Sequence, residues 1–140
     1  MSAKPPVYVL DSFAVLAYLD SEVGVERVQM ILEEASQGHA QVILSIINFG
    51  EVLYITEREV GLVQAQAALA AIEQLPIEIL PATKEAVLAA AHIKANYPVA
   101  YADAFAVVAA RESSGTIITG DPEFQAIQEL VAVEWLGQKG

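Results

Sequence analysis

The chain has 140 residues, 55% of them hydrophobic, and no cysteine, enough for one domain that buries a core without disulfides or a thiolate metal site. Eighteen acidic residues against seven basic ones leave a formal charge of −11, which argues against the lysine- and arginine-based phosphate neutralisation behind sequence-independent nucleic-acid binding. No apolar run approaches the roughly 18 residues of a membrane span, and any phosphate chemistry on so acidic a chain needs bound cations.

The first stretch, "MSAKPPVYVLDSFAVLAYLD", has the look of a signal peptide, but Asp11 interrupts it and no clear small-residue cleavage pattern follows. It reads as a first strand, Val7–Leu10, and a short helix, "SFAVLAYLD", of the mature domain. "GVERVQMILEEASQG" is an amphipathic helix closed near Gly38, and Gln41–Ser45 is a second strand. Asn48–Gly61 and Leu62–Leu75 carry helical patterns, and Ile77–Leu80 is a third strand bounded by Pro76 and Pro81. "TKEAVLAAAHIKANY" is a helix capped by Thr83, and "YADAFAVVAARESSG" another, stopped by Gly115. Thr116–Thr119 is a fourth strand, "DPEFQAI" a short helix with proline in its first turn, and "VAVEWL" a fifth strand. Strands alternate with helices, and the strands are continuously apolar, which suits a parallel sheet covered on both faces. The expectation is one domain over residues 1–140: a three-layer α/β/α fold around a central, mainly parallel sheet of about five strands.

Ligands of such sheets bind beyond the carboxyl ends of the strands. Asp11 follows the first strand directly, and Asp121 stands two residues after the fourth. Glu51 lies one to two turns into the helix leaving the second strand, and Asp103 near the start of the helix feeding the fourth. Each has an ordinary reading: Asp11 and Asp121 as helix caps, Glu51 as a solvated helical residue with Asn48 and Arg58 on its stripe. For Asp103 the ordinary reading is a first-turn cap, on a helix otherwise apolar all round and therefore buried. Together the four form a cluster whose mutual repulsion protonation or divalent cations relieve, and hard oxygen donors suit Mg²⁺ or Mn²⁺. His39 and His92 lack metal-ligand spacing, Arg58 and Arg111 are as readily salt-bridge partners as phosphate contacts, and Tyr101 is expected in the core rather than stacking on a base.

The motifs "VLDSFAVLAYL" with Asp11, "LSIINFGEVLY" with Glu51, "AYADAFAVVAA" with Asp103 and "IITGDPEF" with Thr119 and Asp121 stand in a telling order. In that order the chain resembles a PIN-domain ribonuclease over nearly its full length, and most closely the VapC-type toxin of bacterial toxin–antitoxin pairs. The resemblance implies an acidic quartet of Asp11, Glu51, Asp103 and Asp121 that binds Mg²⁺ or Mn²⁺ and hydrolyses RNA to 5′-phosphate and 3′-hydroxyl products. Thr119 matches the family's hydroxyl residue two positions before the last acid; Ser12 and Ser45 fall where small hydroxyl residues recur, and order the pocket or simply cap a turn. A small antitoxin that lays an apolar segment in a groove and brings a basic side chain to the acids is the implied partner. A homodimer and a cytoplasmic location are expected. The alternatives are a housekeeping RNA-processing PIN nuclease and an inactive PIN-like binding module, which the four acids speak against. A phosphoacceptor domain lacks support, because "DSFAV" has no second Asp two residues on.

Overall fold

The computed structural model describes residues 4–137. Its elements in chain order are β1 (Val7–Leu10), α1 (Ser12–Leu19), α2 (Val25–Ser36), β2 (Gln41–Ser45), α3 (Ile46–Val60), α4 (Leu62–Glu73) and β3 (Glu78–Leu80). They continue as α5 (Lys84–Asn96), α6 (Tyr101–Ser113), β4 (Thr116–Thr119), a 3₁₀ segment (Pro122–Ile127) and β5 (Ala132–Trp135). The strands form one sheet in the order β3-β2-β1-β4-β5, and every neighbouring pair is parallel.

Strand pleating sends successive side chains to opposite faces, and both faces are covered. Val9, Ile43 and Ile117 pack under α5, α6 and the 3₁₀ segment, with Ile93, Phe105 and Phe124. Leu10, Val42, Leu44 and Ile118 pack under α1 to α4, with Val28, Ile31, Phe49 and Ile72. Burying each such side chain contributes about 1.5–3 kcal/mol, so the two apolar layers hold the three-layer α/β/α architecture together. Helix α6 lies deepest: every residue from Asp103 to Ala110 is buried.

Local chemistry explains the element ends. Ser45 closes β2 and opens α3 at once, accepting the Ile47 N–H at 3.1 Å, so that helix begins at Ile46, two residues before the expected Asn48. Thr83 caps α5 as expected, accepting the Ala86 N–H at 3.1 Å. Strand β3 starts at Glu78 rather than Ile77, whose N–H turns back to the Leu75 carbonyl at 2.8 Å. The "DPEFQAI" segment is 3₁₀ rather than α-helical. Its buried residues, Phe124 and Ile127, are three apart, and a three-residue turn puts such a pair on one face.

Topology fixes where the site lies. From β1 the chain builds outward to β2 and β3, then crosses back through α5 and α6 to β4 on the other side of β1. The boundary between β1 and β4 is therefore the point at which the strand order reverses, where open α/β sheets bind ligands. The β1–β4 register pairs Leu10 with Ile118. One residue further, Asp11 stands beside Thr119 on the face that α6 covers.

Candidate metal centre

Asp11 leaves the end of β1 and caps α1, accepting the Ala14 N–H at 2.8 Å on Oδ1. Its other oxygen, Oδ2, accepts the Thr119 hydroxyl. Thr119 Oγ1 in turn accepts the Asp121 N–H at 3.0 Å. The single hydroxyl proton is thus committed to Asp11, and the backbone turn holding Asp121 is tied to the same oxygen. Asp121 caps the 3₁₀ segment, accepting the Glu123 N–H at 2.9 Å.

Asp103 is the third residue of α6 and is 5% exposed. The first-turn cap reading fails for it: Ala100 is the N-cap, and its N–H is taken by Glu123 rather than by Asp103. Glu51 projects from α3, half-buried, and its Oε1 is buried with no hydrogen-bond partner. Asn48, one turn earlier on α3, is fully buried. Its Nδ2 donates to the Ala102 carbonyl at 3.1 Å, binding α3 to the first turn of α6, while its Oδ1 lacks a donor.

The electrostatics show that the acids share one environment. Burial pushes the Asp11 carboxyl up to about 7, against the lowering effect of the Thr119 and Ala14 hydrogen bonds; Asp121 and Glu51 push it further up. Burial likewise raises Asp103 to about 8, helped by the negative charges of Asp11, Asp121, Glu51 and Glu123. None of these carboxylates is in a salt bridge among the described residues. Carboxylate oxygens of Asp103, Asp121 and Glu123 lie within 4.8 Å of one another, near the roughly 4 Å that separates opposite ligands of one Mg²⁺ at about 2.1 Å. Two unit charges about 5 Å apart repel by about 3 kcal/mol at an effective dielectric of 20, and a divalent cation turns that repulsion into attraction. A buried acceptor with no donor, hard oxygen donors and no salt-bridged cation among the described residues fit such an ion.

The family model for the PIN domain matches residues 8–130. The chain belongs to the PIN-domain family. No curated protein matches this PIN domain by sequence, but solved structures match it in fold. A chain of VapBC2 from Rickettsia felis, described bound to a DNA fragment from its promoter, has a TM-score of 0.72 at 15% identity, over 93% of this chain and 98% of that one. VapC20 from Mycobacterium tuberculosis, described as a sarcin-ricin loop cleaving toxin, has a TM-score of 0.68 at 15% identity, over 85% and 93%. FitAcB from Neisseria gonorrhoeae has a TM-score of 0.65 at 23% identity, over 90% and 95%. At such identities the likeness is one of fold.

Within this PIN domain hydrogen bonds join Asp11, Thr119 and the Asp121 turn, oxygens of Asp103, Asp121 and Glu123 come within 4.8 Å of one another, and Glu51 acts on Asp11 and Asp103 through its charge. The two serines stand apart from that group in their bonding. Ser45 is buried as the α3 cap and lines a separate 140 Å³ cavity with Leu80, Thr83 and Phe105. Ser12 is the half-buried first residue of α1. Tyr101 is not in the core: it is 45% exposed and meets Phe105 edge-on at 5.2 Å. Sequence reading gave Glu123 no role. Its position in Asp-Pro-Glu, an acid just inside a capped turn, is the one local hint.

Proposed function

We propose that this PIN domain is a metal-dependent endoribonuclease and the toxin of a toxin–antitoxin pair. The observation that carries the reading is the meeting of Asp11, Glu51, Asp103 and Asp121, unpaired with any cation among the described residues, at the β1/β4 reversal point. Asp11, Asp103 and Asp121 are assigned to hold Mg²⁺ or Mn²⁺, with Glu51 ligating directly or through water. A bound divalent ion would supply Lewis-acid polarisation of a phosphoryl oxygen and lower the pKa of a bound water. Thr119 keeps Asp11 turned toward the pocket by donating its only proton there. The Glu51 carboxylate, one oxygen of which lacks a donor, is assigned to accept a hydrogen bond from the attacking water and orient it toward the phosphorus. The exposed Tyr101 ring, two residues before Asp103, offers a stacking face for an unpaired base. The acidic surface repels bare RNA, so substrate binding leans on the metal.

Apolar surface supports the protein partners. A groove of about 500 Å³ runs between the end of α1 and the α3–α4 pair, lined by Leu19, Val60, Ala67, Ala68 and Ala71 with Asp20, Thr56 and Gln64 among them. It suits an antitoxin segment with an apolar face, and the unpaired acids suit a basic side chain of the same partner. Leu88 of α5 is 60% exposed and is assigned to a homodimer contact. Among the described residues no helix is long and apolar enough to cross a membrane, and a cytoplasmic location is part of the same proposal.

The deciding experiment incubates antitoxin-free protein with a mixed structured RNA, with Mg²⁺, with Mn²⁺ or with EDTA, beside Asp103→Asn. Cleavage with either metal, abolished by EDTA and by the variant, is the expected result. Undiminished cleavage in EDTA rejects the metal mechanism, and no cleavage under any condition favours a binding module. Cleavage without growth arrest on expression points to an RNA-processing role.

A further inference from the structure

A helix leaves its first N–H groups without intrahelical partners. At many helix starts the third residue, when acidic or amidic, reaches back and accepts the N–H of the N-cap residue. In α6 the N-cap is Ala100 and the third residue is Asp103. Asp103 is not used that way. The Ala100 N–H donates instead to Glu123 Oε1 at 2.8 Å, from an element 23 residues further along the chain. The backbone N–H of the same Glu123 donates to Asp121 Oδ1 at 2.9 Å. One residue therefore grips both walls of the pocket: Asp121 through its main chain, and the start of α6 through its side chain.

We propose that Glu123 is a positioning residue that sets the separation of Asp103 and Asp121 and, by occupying the Ala100 N–H, leaves the Asp103 carboxylate free for the metal. Its own charge opposes that role electrostatically, since Glu123 is one of the groups raising Asp103. The gain must then come from geometry. A hydrogen bond that a backbone N–H donates to a charged acceptor is short and directional, and partners that orient metal ligands typically govern affinity 10- to 100-fold. The assignment rests on the metal-centre reading above.

Two substitutions separate reach from charge. Glu123→Gln keeps an oxygen at the same reach without the charge, whereas Glu123→Asp keeps the charge but falls short of Ala100. Because Glu123 is exposed, neither disturbs the core, and Tm is expected to stay near wild type. Mn²⁺ affinity by calorimetry and hydrogen exchange of the Ala100 amide in metal-free protein are the readouts. Glu123→Asp and Glu123→Ala are expected to weaken Mn²⁺ by about tenfold or more and to speed Ala100 exchange, with Glu123→Gln within about threefold of wild type. The reverse order, Asp like wild type and Gln like Ala, overturns the proposal in favour of a charge or ligand role, as does wild-type behaviour of all three. If the wild type binds no Mn²⁺, the metal reading falls separately. The strut is then upheld only if Asp and Ala, but not Gln, speed Ala100 exchange.

Discussion

At the edge strand β5, Glu134 meets Arg27 of α2 in a two-pronged salt bridge, Nε to Oε2 at 2.6 Å and an amino group to Oε1 at 3.1 Å. The same guanidinium lies 5.6 Å above the Tyr8 ring of β1. At the carboxyl ends of β1 and β4, by contrast, the acids gather with hydrogen bonds but no salt bridge among the described residues. The two regions solve the same problem in opposite ways. The Arg27–Glu134 pair is self-sufficient and half in solvent, with about a third of each side chain exposed. The acidic edge buries Asp11 and Asp103, and without a cation it relieves their repulsion only by holding protons. A protein that can pair an acid when fastening a helix to a strand leaves these acids without a salt bridge at the kind of reversal point where open α/β sheets bind ligands. That contrast points to a cation from outside.

The sharpest way to break the comparison is Asp103→Asn. It keeps shape and burial but removes a charge, so the fold is expected to persist while metal-dependent cleavage falls by roughly a hundredfold or more. An unfolded variant whose cleavage per folded molecule is unchanged would return Asp103 to a structural role.

Next comes pH. In the folded, metal-free protein Asp11 and Asp103 hold protons up to about 7 and 8, whereas the unfolded chain loses them near 4. The folded state binds more protons across that window, so its stability falls as pH rises. Tm of metal-free protein should drop between pH 5 and pH 8.5, and Asp103→Asn should flatten the slope. Mn²⁺ at a hundred times its dissociation constant should restore about 2.7 kcal/mol at the alkaline end. A metal-free Tm that climbs over this range contradicts the buried-acid account.

Thr119→Val tests the hydroxyl that joins Asp11 to the Asp121 turn. It leaves a buried carboxylate oxygen and an N–H short of a partner, at a cost of about 1–3 kcal/mol. Thr119→Ser should recover most of it in a denaturant titration. The smallest effect belongs to the other region. Arg27→Met is expected to cost no more than about 1 kcal/mol, because a partly exposed ion pair is screened, and to leave Mn²⁺ affinity unchanged. A large loss of metal binding in Arg27→Met would mean that the two regions are coupled.

Much of this was legible in the residues. Three strands, Val7–Leu10, Gln41–Ser45 and Thr116–Thr119, match their expected spans residue for residue, because a strand buried on both faces needs a largely apolar centre. Asp11, Thr83 and Asp121 cap where their types and neighbours indicated, because capping is a local bond between a side chain and an N–H two or three residues on. The order of the acids was also readable, since it follows from which strand or helix each one borders.

Only the tertiary structure decided the rest. It directed the Thr119 proton to Asp11 across 108 positions, handed the Ala100 N–H to Glu123, and left Glu51 Oε1 and Asn48 Oδ1 buried without donors. It also exposed Tyr101, which composition alone had placed inside. Propensity and periodicity act within a turn or a few residues. These bonds depend on parallel register and on how α6 packs against the sheet, which no local pattern encodes.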